Sequence, residues 1–509
     1  MDSVYKNSGI IGITAAGGAV LGFFLQLIVA YYFGAGATTD AFFMAQSTSE
    51  LLGKLLMGGS ITAVFIPLFV HRLTKGKKED AFALGLNLVN IMACVYVLFI
   101  AFIWIFSGTF IHIIAPGFTG NTYTLTVSLL KVLLPSFLFL FLLEFATSML
   151  HSLKEFALPA YLRLIQPIIS IVSILLLVRY VGIYALAIGI LIGSVVQLAI
   201  VGWGLTVRGM RYRFFINLKD PALRDVVRLV YPFIFSILVT QAAGIVYRMI
   251  VSTLEESSLS ALKYAEKITQ LITIIFLNSV TLAIYPLLSE KAHSNDSAGM
   301  KDTIANSLRL IVFFTLPIIL AVALLRRDII SFLYQRGSFS SQDALYTSIA
   351  LLYLVLGLTT NGISSILGHA VLALQKTKAA VIITIASQVV AITLFMMFTP
   401  RMGFAGLALA SSLVPLSSAL LYFLYLGRFI PALHTIFVHI TYVKIIILSG
   451  ISSLLIWCIM QLQLPSIAQM MISLAVGSLF YLACAHMWHI EEMRQISDIF
   501  RRKFQKITL

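Results

Sequence analysis

The chain has 509 residues, 60% of them hydrophobic and 11% charged, with a net charge of +15. Soluble domains carry roughly 25% charged residues, so a soluble fold is excluded, and apolar runs recurring from Ile10 to His486 exclude a single anchor. The positive charge does not point to nucleic acid, because the basic residues gather in short loops between apolar runs, the pattern of the positive-inside rule.

Hydropathy over about 19 residues predicts an all-α integral membrane protein of about fourteen spans. They lie at 9–33, 41–70, 84–107, 124–150, 158–180, 183–206, 229–253, 265–289, 305–325, 345–374, 378–399, 403–427, 440–462 and 466–487. The opening "MDSVYKNSGIIG" has no small-residue cleavage site after a short apolar core, so no removable signal peptide is expected. Span one contains one polar side chain of note, Gln26.

Span two poses the sharpest question. Its stretch "ELLGKLLMGG" puts Glu50 and Lys54 one helical turn apart in an otherwise apolar or small run. A charge at mid-bilayer costs about 2.5–3.5 kcal/mol on insertion scales. Either the two residues neutralise each other, in the favourable Glu-before-Lys order, or Lys54 faces a wet cavity and meets an anion. Gly53, Gly58, Gly59 and Ser60 predict a thin, bendable helix here.

The loops set the orientation. "HRLTKGKKED" (71–80), the segment 208–228 and the tail 494–506 are basic, whereas 34–40, 115–122 and 253–258 are neutral or acidic. With an even span count, both termini and all basic segments lie on the cytoplasmic side. Arg326, Arg327 and Arg336 fall on the other side, and an interfacial amphipathic piece is expected there.

In span four Glu144 stands towards the cytoplasmic end, where packing against Arg163 or the loop is its plainest explanation. Span seven contains Gln241 and Arg248, whose alternatives are a cavity role and snorkelling to headgroups. Span eight opens with Glu266 and Lys267, either cavity-facing or anchored at the interface, and Asn361 lies in span ten. Cys94, Cys458 and Cys484 all lie in apolar runs and suggest neither disulfide nor metal.

The chain repeats itself at an offset of about 220 residues. "VFIPLFVHRL" (64–73) resembles "AIYPLLSEKA" (283–292), matching Pro67 to Pro286. "IHIIAPGF" (111–118) resembles "SFLYQRGSF" (331–339), matching Gly117 to Gly337, and 148–160 resembles 370–382. A parallel repeat of this kind marks transporters. It predicts an N-lobe at 1–207, a basic linker at 208–228 and a C-lobe at 229–430, with two extra spans and a basic tail at 431–509. The substrate path is expected between two pseudo-symmetric six-helix lobes.

No Walker-type phosphate loop, HExxH or paired-cysteine motif is present, and histidines such as His71, His369 and His439 are scattered. An enzyme is therefore the weaker class, and neither a metal nor a cofactor is expected.

"FGAGATTDAFFMAQSTSELLGKLLMGGSITAVFIPLF" (33–69) resembles the opening signature of the MurJ-type (MviN) lipid II flippases. "SALKYAEKITQLITIIFLNSVTLAIYPLLSE" (260–290), "GHAVLALQKTKAA" (368–380), "APGF" and "YQRGSF" resemble its further motifs. The likeness covers nearly the whole chain and is specific in combination. It implies two lobes of the multidrug/oligosaccharidyl-lipid/polysaccharide exporter group around a cationic cavity, and a polyprenyl-diphosphate-linked sugar as substrate. It implies a bacterial inner-membrane location, with cell-wall synthesis enzymes as candidate partners.

By that resemblance Lys54 stands at the family's span-two arginine, Lys267 at the arginine of its "YADR"-like motif, Arg248 at a span-seven arginine and Asp40 at the aspartate of TDAF. The family's usual arginines at Ala19 and Gly53, its arginine–aspartate pair at Leu25–Gln26 and its glutamate at Gly58 are missing. The expected cavity set is Lys54, Arg248, Lys267, Glu50, Asp40, Gln26 and Glu266, with coupling to membrane potential or a monovalent ion. A flippase for another lipid-linked glycan, a cation-coupled drug exporter with Glu50 or Glu144 as ion site, and a non-transporting scaffold are the alternatives.

Overall fold

Hydrocarbon offers no partner to a free N–H or C=O, so a chain this apolar satisfies its backbone internally, as helix. The computed structural model describes residues 2–57, 66, 69–74, 78–220, 239–462 and 465–493, and among these there are helices and no strands. Gly58, Gly59, Ser60 and Pro67, residues 221–228 of the linker, residues 229–238 of span seven and the tail 494–506 lie outside the described residues.

The first compact unit comprises Met1–Ser260 with Arg336–Phe339. Its helices are α1 (Asp2–Phe33), α2 (Ala37–Met57), α3 (Lys78–Ile105), α4 (Ser107–Ile114), α5 (Gly120–Ser152), α6 (Ala157–Val181), α7 (Tyr184–Val207) and α8 (239–252). The second unit comprises Ala261–Gln335 and Ser340–Leu509. It holds most of α9 (Ser258–Ile272), then α10 (Asn278–His293), α11 (Ser297–Tyr334), α12 (Ser341–Val355), α13 (Gly357–Ala373), α14 (Thr377–Met402), α15 (Phe404–Leu426), α16 (Ile440–Ile459) and α17 (Ser466–Met487).

Among the described residues, eleven of the fourteen expected spans are helices long and apolar enough to cross a membrane. The other three are spans two, seven and eight, the ones that contain most of the candidate charges. Helix α2 has Asp40, Glu50 and Lys54 in 21 residues. Span seven begins outside the described residues. Span eight is divided into α9 and α10 by a π-helical turn at Thr273–Leu277.

The separate amphipathic piece expected near Arg326 is not found. Arg326 and Arg327 belong to one unbroken helix of 38 residues. At 1.5 Å per residue that is about 57 Å, against roughly 30 Å of hydrocarbon, so its ends stand clear of the apolar layer. Arg326 donates to the Ala323 carbonyl at 2.7 Å, on its own helix.

The backbone repeats as the sequence does. Lys154 and Gln375 both have positive φ (63° and 58°), and so do Gly182 and Gly403 (57° each). These pairs separate α5 from α6, α13 from α14, α6 from α7 and α14 from α15. Pro135 interrupts the hydrogen-bond ladder of α5, and the break between α12 and α13 at Leu356 falls at the matching position.

In the first unit Leu84, Tyr96, Phe141, Phe145, Leu162 and Leu205 form a common core of α3, α5, α6 and α7. Lipid gives no hydrophobic drive between helices, so small residues and side-chain hydrogen bonds set the packing. A Cβ on Gly189 would come within 2.8 Å of the Ser173 Cβ, and Ser173 donates to the Ala185 carbonyl at 2.6 Å, joining α6 to α7. In the second unit Leu288, Ile304, Leu308, Ile366, Leu367 and Leu426 form the core. Helices α16 and α17 add a cluster of Phe313, Ile445, Leu448 and Tyr481, whose hydroxyl donates to the Phe313 carbonyl at 2.8 Å.

Candidate functional site

The i,i+4 spacing puts Glu50 and Lys54 on one face of α2, and that face opens on a cavity of about 470 Å³ in the first unit. Helix α5 supplies Phe137, Glu144, Thr147, Ser148 and His151 to the wall, and α6 supplies Pro159 and Leu162. The Lys54 side chain is exposed, as is that of Glu144. Among the described residues no ion pair joins Glu50 to Lys54. Glu50 accepts from Gln46 Nε2 at 3.1 Å instead. The Glu144 carboxylate likewise has no partner among the described residues, Arg163 included.

The gap at Gly53 has a physical reason. A Cβ there would come within 2.6 Å of the Phe137 ring, so α2 and α5 pack too closely for an arginine without moving Phe137. The Gly53 carbonyl accepts from the buried Tyr96 hydroxyl at 3.4 Å, and Tyr96 stacks on Phe141 with ring centroids 4.3 Å apart. The described lining has one ammonium, two carboxylates and the His151 imidazole, so in this unit it departs from the cationic cavity that the resemblance implied.

Two expected cavity residues are engaged elsewhere. Arg248 on α8 donates from Nε to Ser47 Oγ at 3.2 Å, from Nη2 to the Ser47 carbonyl at 2.9 Å and from Nη1 to the Gly244 carbonyl at 2.6 Å. Its guanidinium is therefore a clamp between α8 and α2, and it does not snorkel. Asp40 is 4% exposed and accepts from Ser257 N at 2.9 Å, Ser260 N at 2.7 Å and Ser260 Oγ at 2.6 Å. It serves as the cap of α9 from another helix. Glu256 returns the arrangement, accepting from Ala37 N at the start of α2 at 2.8 Å. Each helix start is thus satisfied by a carboxylate from the other's sequence neighbourhood.

Glu266 and Lys267 belong to the second unit. Glu266 accepts from Lys263 Nζ at 2.7 Å, and the Lys267 side chain is half-buried. Gln26 is half-buried on α1 and has no hydrogen-bond partner among the described residues. The structure therefore unites Glu50 and Lys54 in one cavity and assigns Asp40 and Arg248 to helix joints. His151 escaped the sequence reading, and Glu144 was read there as a packing residue. Their signal was the i,i+7 spacing on α5, which puts both on one face.

The family model for the lipid II flippase MurJ matches residues 29–477. The chain belongs to the MurJ lipid II flippase family. The chain is 27% identical over 420 residues to the probable lipid II flippase MurJ of Vibrio cholerae serotype O1, covering 79% of each chain. It is 26% identical over 411 residues to the lipid II flippase MurJ of Thermosipho africanus, covering 81% of this chain and 83% of that one. A solved lipid II flippase MurJ in an inward closed conformation superposes with a TM-score of 0.81 at 25% identity, covering 94% of this chain and 99% of the other. A multidrug-resistance MATE family transporter of the MOP superfamily gives 0.65 at 15% identity, covering 81% and 99%, and so shares the fold alone.

Among the described residues no group of histidine, cysteine and acidic side chains could hold a metal ion, and Cys94, Cys458 and Cys484 are unbridged. The described side chains of the cavity offer ionic attraction and hydrogen bonding.

Proposed function

We propose that this protein moves lipid II, a polyprenyl-diphosphate-linked peptidoglycan precursor, from the inner to the outer leaflet of the bacterial cytoplasmic membrane. The observation that carries the reading is Lys54, an exposed ammonium on a cavity wall within a membrane-spanning unit of a MurJ-family chain. Lys54 attracts the diphosphate as a point charge. Glu50, held by Gln46, and Glu144 offset the Lys54 charge, so the diphosphate is held weakly and released readily. The lipid tail stays in the bilayer while the 1–207 and 229–430 lobes alternate between inward and outward openings. No covalent step and no cofactor are involved. Both termini face the cytoplasm, and cell-wall synthesis enzymes supply and consume the substrate.

The Glu144 carboxylate, without a partner among the described residues, favours a monovalent ion as coupling partner, alongside the membrane potential, which contributes about 2.3 kcal/mol per charge per 100 mV. The decisive experiment is complementation in bacteria depleted of their own lipid II flippase. Wild type is expected to restore growth, Lys54→Ala to insert normally yet fail, and Lys54→Arg to retain partial function. Normal transport by an inserted Lys54→Ala protein would sink the site assignment. Failure of inserted wild type would redirect the reading to another polyprenyl-linked glycan.

A further inference from the structure

The segment after α7 is neither helix nor free loop. Residues 210–217 have no regular secondary structure and are hydrogen-bonded to α3. Two asparagines of α3, Asn87 and Asn90, are 1% and 2% exposed and hold one edge of this strap. Asn87 Nδ2 donates to the Asn217 carbonyl at 3.0 Å, and Asn217 N donates to Asn87 Oδ1 at 2.7 Å. Asn90 Nδ2 donates to the carbonyls of Arg213 and Phe215 at 3.3 and 3.1 Å, and the Tyr212 hydroxyl donates to Asn90 Oδ1 at 3.1 Å. Beyond the strap, Arg72 Nη2 donates to Asp220 Oδ1 at 3.2 Å. Burying two amides to fix a non-helical segment makes it a built element.

Between the strap and α3 lies a cavity of about 770 Å³. Phe82, Leu86 and Phe215 give it an apolar floor, and Arg211, Arg213 and Glu79 line its polar side. Neither arginine side chain has a hydrogen-bond or ion-pair partner among the described residues, and both are exposed. The strap also exposes apolar side chains. Tyr212, Phe214, Ile216 and Leu218 are 63%, 64%, 45% and 69% exposed, continuing the exposed Trp203 and Val207 of α7.

We propose that this cavity binds the headgroup of an anionic phospholipid of the phosphatidylglycerol type. The strap begins where the membrane helix α7 ends, so it lies at headgroup depth, where its solvated backbone and its aromatic side chains are both accommodated. The two guanidinium forks match one phosphodiester. Glu79 accepts a hydrogen bond from a headgroup hydroxyl, which choline cannot donate. Two arginines and one carboxylate leave one positive charge, which a monoanionic lipid neutralises and a zwitterionic one does not. Phe82, Leu86 and Phe215 cover the glycerol and the first acyl carbons. An acidic peptide adding as a strand to the free edge is the rival occupant. The exposed Phe214, Ile216 and Leu218 favour the bilayer over it.

The full-length protein in detergent, titrated with dioleoylphosphatidylglycerol, dioleoylphosphatidylcholine or sodium phosphate, tests this by bound-lipid count in native mass spectrometry and by melting temperature. Phosphatidylglycerol is expected to bind and raise the melting temperature of wild type, and to bind about tenfold more weakly to R211Q/R213Q, as loss of two charge-assisted contacts requires. Glu79→Gln, which leaves two positive charges, is expected to widen the preference over phosphatidylcholine. Equal phosphatidylglycerol binding by wild type and R211Q/R213Q overturns the proposal. So does a shift given equally by sodium phosphate, which marks an anion site without lipid, or no lipid binding with capture of an acidic peptide. Should R211Q/R213Q fold poorly, R211K/R213K keeps the charge and loses the fork, and unchanged affinity there overturns the bidentate contact.

Discussion

At the scale of single residues, two glycines set tighter limits than any charge. A Cβ on Gly117 would overlap the Ser252 carbonyl, and the Gly117 N–H donates to Ser252 Oγ at 3.1 Å. A Cβ on Gly337 would overlap the Tyr31 carbonyl, and Gly337 has φ of 61° besides. Gly120 also has positive φ, at 53°, but nothing within 4 Å. Overpacking costs about 1–3 kcal/mol and left-handed backbone about 1–2 kcal/mol more. Gly337→Ala is therefore expected to lower the unfolding temperature most, Gly117→Ala next and Gly120→Ala least, as read by thermal unfolding in detergent. A Gly120→Ala protein as damaged as Gly337→Ala would show that backbone strain alone decides the order. The sequence repeat paired Gly117 with Gly337, and each fits against the end of a helix, α8 and α1 respectively. Which carbonyl each one meets could not be read from spacing, because both contacts join segments more than a hundred residues apart.

At the scale of elements, helix ends and buried ions decide what holds. Asp296 caps α11 by accepting from Gly299 N at 2.8 Å, and Lys291 Nζ donates to it at 2.9 Å. Those two contacts, the backbone N–H first, hold its carboxyl below the ordinary value of 3.8. A depressed carboxyl pKa stabilises the fold above the unfolded value and ceases to do so as pH falls through the folded one. The melting-temperature advantage of wild type over Asp296→Ala is thus expected to be level from neutral pH to about 5 and to shrink below 4. An advantage that grows on acidification would refute the cap. Elsewhere in the second unit Arg309, 8% exposed, donates from Nε to Glu492 Oε1 at 2.8 Å and from Nη2 to Glu491 Oε2 at 3.1 Å. Glu492 is 2% exposed, so Arg309→Ala strands a buried carboxylate, a loss of about 3–5 kcal/mol. Adding Glu492→Gln is expected to recover part of the loss, and no recovery in unfolding would show the ions act independently. Hydropathy made spans legible because apolar length is a local property. It was silent on Arg309 and Glu492, since an ion pair 183 residues apart has no local signature.

For the whole molecule, charges within spans stand out in the sequence because each needs a partner or water. Expensive charges need partners, and periodicity names the face they share but not the partner. Lys54 and Glu50 shared a face, and the structure opens a cavity on it. Arg248 and Asp40 also needed partners, and found them in Ser47 and in the Ser257–Ser260 turn. The same logic governs residues 336–339, which group with the first unit although the chain on either side groups with the second. Ser338 N donates to the Tyr31 carbonyl at 2.8 Å, and Ser338 Oγ to the Tyr32 carbonyl at 3.0 Å. Residues 336–339 and α1 thus belong to one unit by their hydrogen bonds, and a cross-link tests whether that contact has to yield during transport. A Tyr32→Cys/Ser338→Cys pair, in a chain whose Cys94, Cys458 and Cys484 are replaced by serine, is expected to cross-link under mild oxidation. The oxidised protein is expected to fail in lipid II translocation into proteoliposomes and to recover on reduction. Full transport by the quantitatively cross-linked protein would mean that this contact persists through the cycle.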